Sequence, residues 1–167
     1  MHTETTPSPA GVVVGERAIS FTLPDQEGKP FRLADAIARG PVVVFFYPKD
    51  GTPGCTAEAC SFRDASDDFA AAGATVVGIS SDDVAAHAKF AADHRLGYPI
   101  LVDEGGRVRA QWKVPRALFG MMDGRVTYVI DTQGIVRHRH VGLLGAKKHV
   151  EEALAVVRSV AGRGATS

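Results

Sequence analysis

At 167 residues the chain has the size of one ordinary domain, and an apolar fraction of 45% is enough to build a full core without a disulfide. Nineteen basic residues balance nineteen acidic ones, so no net field recruits nucleic acid or an anionic membrane, and small or neutral partners fit better. No apolar stretch approaches membrane-span length, and the N-terminal MHTETTPSPAG lacks a basic region followed by an apolar core, so a cytoplasmic protein is the expectation.

Residues 1–10 are polar and rich in Thr and Pro, the composition of a disordered terminus. A single domain is expected over residues 11–162, with a short tail at 163–167. Ile19, Phe21 and Leu23 alternate with polar residues, turn chemistry follows at 25–30, and Phe31 opens another short extended run, so this region reads as short strands or a hairpin. A helical turn is expected over 35–39. Residues 41–47, PVVVFFY, form an unbroken β-branched and aromatic run that suits a strand buried on both faces. Pro48 ends it, and Gly51, Pro53 and Gly54 shape a tight loop. From 56 to 72 the pattern becomes helical, with Ala59, Phe62, Ala65, Phe69 and Ala72 at spacings of three and four. A second buried strand is expected at 74–80, a capped amphipathic helix at 82–95, a third strand at 100–103 and a short helix at 104–113 around Trp112. After a loop rich in Gly and Met come two strands at 126–131 and 135–141, then a closing helix at 147–160 whose buried face carries Val150, Leu154 and Val157. Strands alternating with helices, followed by a late hairpin, predict an α/β fold with a mixed central sheet.

Cys55 falls at or within the first turn of the helix after the tight loop. Only a thiolate is a good nucleophile, and the unpaired N–H groups at a helix start favour that anion. The gain is bounded: an ordinary cysteine is about 3% thiolate at pH 7, so full ionisation is worth roughly thirtyfold, about 2 kcal/mol. Catalysis therefore needs further groups that stabilise charge in the transition state, and Thr52, the loop N–H groups and a distant arginine are candidates. Cys60 lies five residues after Cys55. On an intact helix that offset separates the Cα atoms by roughly 8.7 Å, whereas a disulfide tolerates about 4.4–6.8 Å. A disulfide between them thus requires part of the helix to unwind, and the spacing predicts a redox-coupled conformational change. Two cysteines on a helix also fit small buried hydrophobes. Zinc is disfavoured, because no second ligand pair has matching spacing; C-x-x-C is absent, and GTPGCT lacks the GK[ST] ending of a phosphate loop.

The stretch FYPKDGTPGCTAEACSFRD (46–64) resembles the active-site signature of Q-type peroxiredoxins, also called bacterioferritin comigratory proteins. Pro48, Thr52 and Cys55 fit P-x-x-x-T-x-x-C, and Cys60 fits the resolving position five residues later. LGYPILVDEGGRVRAQWKV (96–114) and GRVTYVIDTQGIVRH (124–138) resemble later segments of the same family, in the same order. Gly51 departs from the larger polar residue of many members, and the Met121, Met122 stretch is idiosyncratic. The resemblance implies a thioredoxin-like fold and a thiol peroxidase that reduces hydrogen peroxide and organic hydroperoxides. It implies that Cys55 is the peroxidatic cysteine and that Thr52 hydrogen-bonds thiolate and peroxide. Arg125 would hold the thiolate and stabilise the transition state, Pro48 would shield the pocket from water, and Glu58 would orient Arg125. Cys60 would then resolve the sulfenic acid as an intrachain disulfide, reduced by thioredoxin or a similar dithiol. It implies no metal, haem, flavin or other cofactor, and a monomer is the expectation.

Two other functions compete. A protein disulfide oxidoreductase is disfavoured by C-x4-C in place of C-x-x-C and would leave Thr52 and Pro48 without a role; a redox-sensing binding module would use oxidation only as a switch. Without the resemblance, Arg125 would read as a surface residue. His138 and His140 alternate on one strand face and read as an exposed polar face rather than a metal grip. His87, His94 and His149 fall on helices and read as surface groups, while Trp112, Phe119 and Met121 read as core or loop packing.

Overall fold

In the computed structural model, residues 11–117, 122–142 and 145–164 are described. The expectations for residues 1–10, Phe119, Met121 and the tail from 165 lie outside them. A hairpin of β1 (Thr22–Pro24) and β2 (Pro30–Arg32) leads into helix α1 (Leu33–Arg39), and the fully buried strand β3 (Val42–Phe46) follows. Next come α2 (Pro53–Asp64), α3 (Ser66–Ala71), β4 (Thr75–Ser80), α4 (Val84–His94) and β5 (Ile100–Val102). A 3-10 turn at Glu104–Gly106 and α5 (Arg107–Gln111) precede a small ribbon of β6 (Arg116–Ala117) and β7 (Met122–Asp123). The chain closes with β8 (Val126–Ile130), β9 (Val136–Val141) and α6 (Ala146–Gly164). Among the described residues no helix is long and apolar enough to cross a membrane.

The main sheet has the order β5-β4-β3-β8-β9, with β3, β4 and β5 parallel and β8 and β9 antiparallel to their neighbours. It is the mixed sheet expected from the sequence. Its central strand divides the core by simple alternation of side chains. Val42, Val44 and Phe46 face a cluster containing Leu33, Ala36, Val108 and Trp112; Val43, Phe45 and Tyr47 face one containing Cys55, Ala59, Phe62, Phe69, Phe90 and Val157. Phe45 stacks on Phe62 at 4.6 Å and 13°, which fixes α2 over the middle of the sheet. Burying one such side chain contributes about 1.5–3 kcal/mol.

The structure corrects the expected helix over 56–72. It starts earlier, at Pro53, and breaks at Ala65 (φ −93°, ψ 6°) into α2 and α3. The Ser66 hydroxyl donates to the Phe62 carbonyl at 3.2 Å, the kind of back-bonding that bends helices. Two histidines expected on the surface are also corrected. His87 and His149 are fully buried, because each lies on the inward stripe of its helix, beside Phe90 and Ala91 on α4 and in line with Ala153 and Val157 on α6.

Candidate active site

Cys55 is 1% exposed and stands in the first turn of α2, between the helix and the end of β3. Thr52 occupies the N-cap position, Pro53 the first helical position, and the Thr56 N–H donates to the Thr52 carbonyl at 2.8 Å. The N–H groups of Gly54 and Cys55 precede that bond and have no intrahelical acceptor, so they point out of the helix start as donors for an anion.

Arg125 reaches this thiol from just before β8. It is 3% exposed; Nη2 donates to Cys55 Sγ at 3.4 Å and Nη1 to the Gly54 carbonyl at 2.6 Å. The sequence alone gave no reason to bury it; the sheet does, because β8 pairs with β3 and brings residue 125 beside the end of the strand that leads to the cysteine. Its approach is set by two residues that sequence reading missed. Arg109 donates to the Gly124 carbonyl at 2.8 Å and to the Tyr47 carbonyl at 2.9 Å, joining the arginine's loop to the end of β3. Gly124 is required there, since a Cβ would sit 2.0 Å from the Pro115 carbonyl oxygen.

Glu58, one turn after Cys55, is fully buried, and neither carboxylate oxygen has a hydrogen-bond partner among the described residues. Its Oε1 lies 3.8 Å from Arg125 Nη1, and its Oε2 lies 3.5 Å from His149 Nδ1. Burial raises its carboxyl to about 8, against the opposing pull of Arg125. Although the distance is within ion-pair range, at neutral pH this is a neutral acid beside a charged guanidinium. His149 carries its proton on Nε2, which faces the Gly142 carbonyl at 3.1 Å, and Nδ1 accepts from the Thr127 hydroxyl at 2.8 Å. Burial lowers its imidazolium to about 4.

Thr52 and Pro48 are half-buried at the same end of the sheet. The Thr52 hydroxyl donates to the Lys49 carbonyl at 2.9 Å, so its one proton is used within the loop rather than on the thiol. The loop is itself anchored: the Asp50 carboxylate accepts from Tyr47 at 2.5 Å and pairs with His87 Nδ1 at 2.5 Å, while His87 Nε2 faces the Leu101 carbonyl at 2.8 Å. Cys60 is half-buried on α2, and both cysteines are free. The structure thus joins Cys55, Arg125 and Glu58, places Thr52 at the N-cap of the same helix and Pro48 half-buried just after β3, and leaves Cys60 further along the helix.

A buried thiol at a helix start, gripped by an arginine on a mixed sheet, defines a thiol-based redox enzyme of thioredoxin-like fold. Residues 14–139 match the AhpC/TSA family. The chain belongs to that family and is a peroxiredoxin, a thiol peroxidase. It is 46% identical over 151 residues to peroxiredoxin Q, chloroplastic, of Populus jackii, spanning 90% of this chain and 70% of that protein. Among solved structures it is similar to peroxidoxin BcpB from Mycobacterium tuberculosis, with a TM-score of 0.82 and 44% identity over 89% of this chain and 98% of the other. The bacterioferritin comigratory protein of Xanthomonas campestris, studied for its alkyl peroxide reduction, superposes with a TM-score of 0.76 at 27% identity over 84% of this chain and 92% of the other.

Proposed function

We propose that this peroxiredoxin reduces hydrogen peroxide and organic hydroperoxides with Cys55 as the attacking thiol and Cys60 as the resolving one. The observation that carries the reading is the Arg125 guanidinium 3.4 Å from a buried Cys55 Sγ at a helix start. The Cys55 thiolate attacks one peroxide oxygen; an S–O bond forms as the O–O bond breaks, and the departing alkoxide or hydroxide takes a proton to leave as alcohol or water. Arg125 and the N–H groups of Gly54 and Cys55 are donors placed for the charge that develops in that step. Thr52 joins them by rotating its hydroxyl from Lys49, Pro48 restricts water at the rim, and Glu58 holds Arg125 in orientation.

Cys60 then attacks the sulfenic sulfur; an S–S bond forms and the hydroxyl leaves as water. Because both cysteines lie in α2, this step follows local unwinding of the helix. A thioredoxin-like dithiol supplies the two electrons and two protons that restore both thiols. The scarcity of cysteine fits a reducing compartment such as the cytoplasm, and a monomer suffices because every group named comes from one chain.

The test is the intact mass of reduced protein before and after one equivalent of hydrogen peroxide, beside a Cys60→Ser variant treated with a sulfenic-acid reagent. Wild type is expected to lose two hydrogens within seconds and the variant to take up the reagent at Cys55. Reaction no faster than that of a free thiol would overturn the assignment.

A further inference from the structure

Away from the thiol pocket, β9 and α6 bring a second set of donor groups together. His138 and His140 are two residues apart on β9 and so face the same side of the strand, and Glu152 meets them from α6. His140 Nδ1 lies 2.6 Å from Glu152 Oε2, and His138 Nε2 lies 3.6 Å from the same oxygen. All three donor atoms lie within 4.8 Å of one another. Ligands about 2.0–2.1 Å from a tetrahedral ion sit roughly 3.3 Å apart, so the cluster already brackets that geometry.

A plain ion pair explains only half of this arrangement. His140 is satisfied by Glu152, but His138 Nε2 is buried without a hydrogen-bond partner, although it is aimed at the same carboxylate. A cation shared by both rings and the carboxylate would satisfy it. Lys148 takes the other carboxylate oxygen, Oε1, at 3.8 Å and leaves Oε2 turned to the imidazoles. The His140 ring packs against buried His149 at 3.9 Å, tilted by 47°, and this contact restricts it before any ion arrives. The side chains of His138, His140 and Glu152 are 18%, 19% and 35% exposed, enough for water to complete the coordination.

We propose that His138, His140 and Glu152 bind one borderline divalent ion of the zinc class, tying the last strand to the last helix. Two imidazoles and one carboxylate suit zinc, whereas magnesium and calcium prefer sites built from several oxygens. The role is structural, since the cluster lies behind His149 and contributes no group to the thiol.

Zinc titration of protein carrying His2→Ala, Cys55→Ser and Cys60→Ser, by calorimetry and thermal melting, removes competition from the thiolates and from the N-terminal imidazole. One Zn2+ per chain is expected, with a higher melting temperature, and magnesium is expected to give neither. His138→Ala and His140→Ala, added singly to partly exposed positions, are each expected to weaken zinc binding at least about tenfold with an unchanged circular dichroism spectrum. Absence of stoichiometric zinc binding, or binding that both replacements leave unchanged, would overturn the proposal.

Discussion

Arg125 grips Cys55 at two points at once: Nη2 lies 3.4 Å from the sulfur, and Nη1 bonds the carbonyl of the preceding residue at 2.6 Å. The guanidinium therefore fixes the backbone that carries the thiol as well as facing its sulfur. Replacing it with Ala should slow peroxide oxidation of Cys55 by about 100- to 1,000-fold. Lys should recover little, because a single ammonium cannot span both acceptors in the same geometry. Stopped-flow oxidation by hydrogen peroxide measures this, and an Ala variant as fast as wild type would show that another cation does the work.

Glu58 supplies a pH dependence with a definite sign. Its carboxyl is raised from 4.5 to about 8, so at pH 7 it is protonated and leaves the Arg125 charge uncompensated. Above pH 8 it ionises, offsets that charge and weakens support for the thiolate and the transition state. Glu58→Gln, a neutral near-isostere, should react within about threefold of wild type at pH 7 and lack the alkaline decline. Rate profiles of the two proteins from pH 6 to 10 decide the matter.

The same carboxyl tilts stability. An acid whose folded pKa is raised binds its proton more tightly in the native state, so its contribution is full at low pH and is lost as pH rises from about 4.5 to about 8. The lowered His149 value acts with the opposite slope, gaining stability as pH rises from about 4 towards 6.5. Between pH 6.5 and 8 Glu58 contributes a falling slope of up to about 1.4 kcal/mol per pH unit. Denaturant unfolding should show wild type weakening across that window relative to Glu58→Gln.

Tyr98 bears on the proposed attack of Cys60 on Cys55. Its hydroxyl donates to the Ala59 carbonyl at 2.6 Å, on the turn of α2 between the two cysteines. Tyr98→Phe should cost about 1 kcal/mol of stability and, by easing unwinding, speed disulfide formation severalfold while leaving sulfenic acid formation unchanged. Two-phase fluorescence after a peroxide pulse separates the steps.

His87 tests the anchoring of the loop. With its ring fully buried between Asp50 and the Leu101 carbonyl, His87→Ala should destabilise the fold by about 2–4 kcal/mol and slow peroxide oxidation as the loop loosens. Thermal melting and oxidation rates measured together check it.

Much of this was legible in the residues. The unbroken run at 42–46 declares a central strand, and Cys55 after Gly51, Pro53 and Gly54 declares a thiol at a helix start. What could not be read depended on side chains meeting across the sheet. Arg109 joins two carbonyls far apart in sequence, and no local pattern marks it. His149 carries a weak signal, its four-residue spacing from Ala153 and Val157, and His87 has the same kind of alignment with Ala91; a polar residue on an apolar stripe is easily assigned to the surface. The break at Ala65 was hidden because Phe69 and Ala72 continue the helical spacing and alanine favours helix, while the bend goes with a single local bond from the Ser66 hydroxyl to the Phe62 carbonyl.

β9 closes the sheet on one side, and an outer strand is where a second chain could add itself. Its first residue, Val136, already exchanges backbone hydrogen bonds with Gly15 and Glu16. Further along, Arg137 and Arg139 alternate with His138 and His140. Two copies meeting antiparallel along this edge would set arginines against one another, a pairing that like charge opposes. The strand that finishes the sheet therefore also discourages a second copy from extending it.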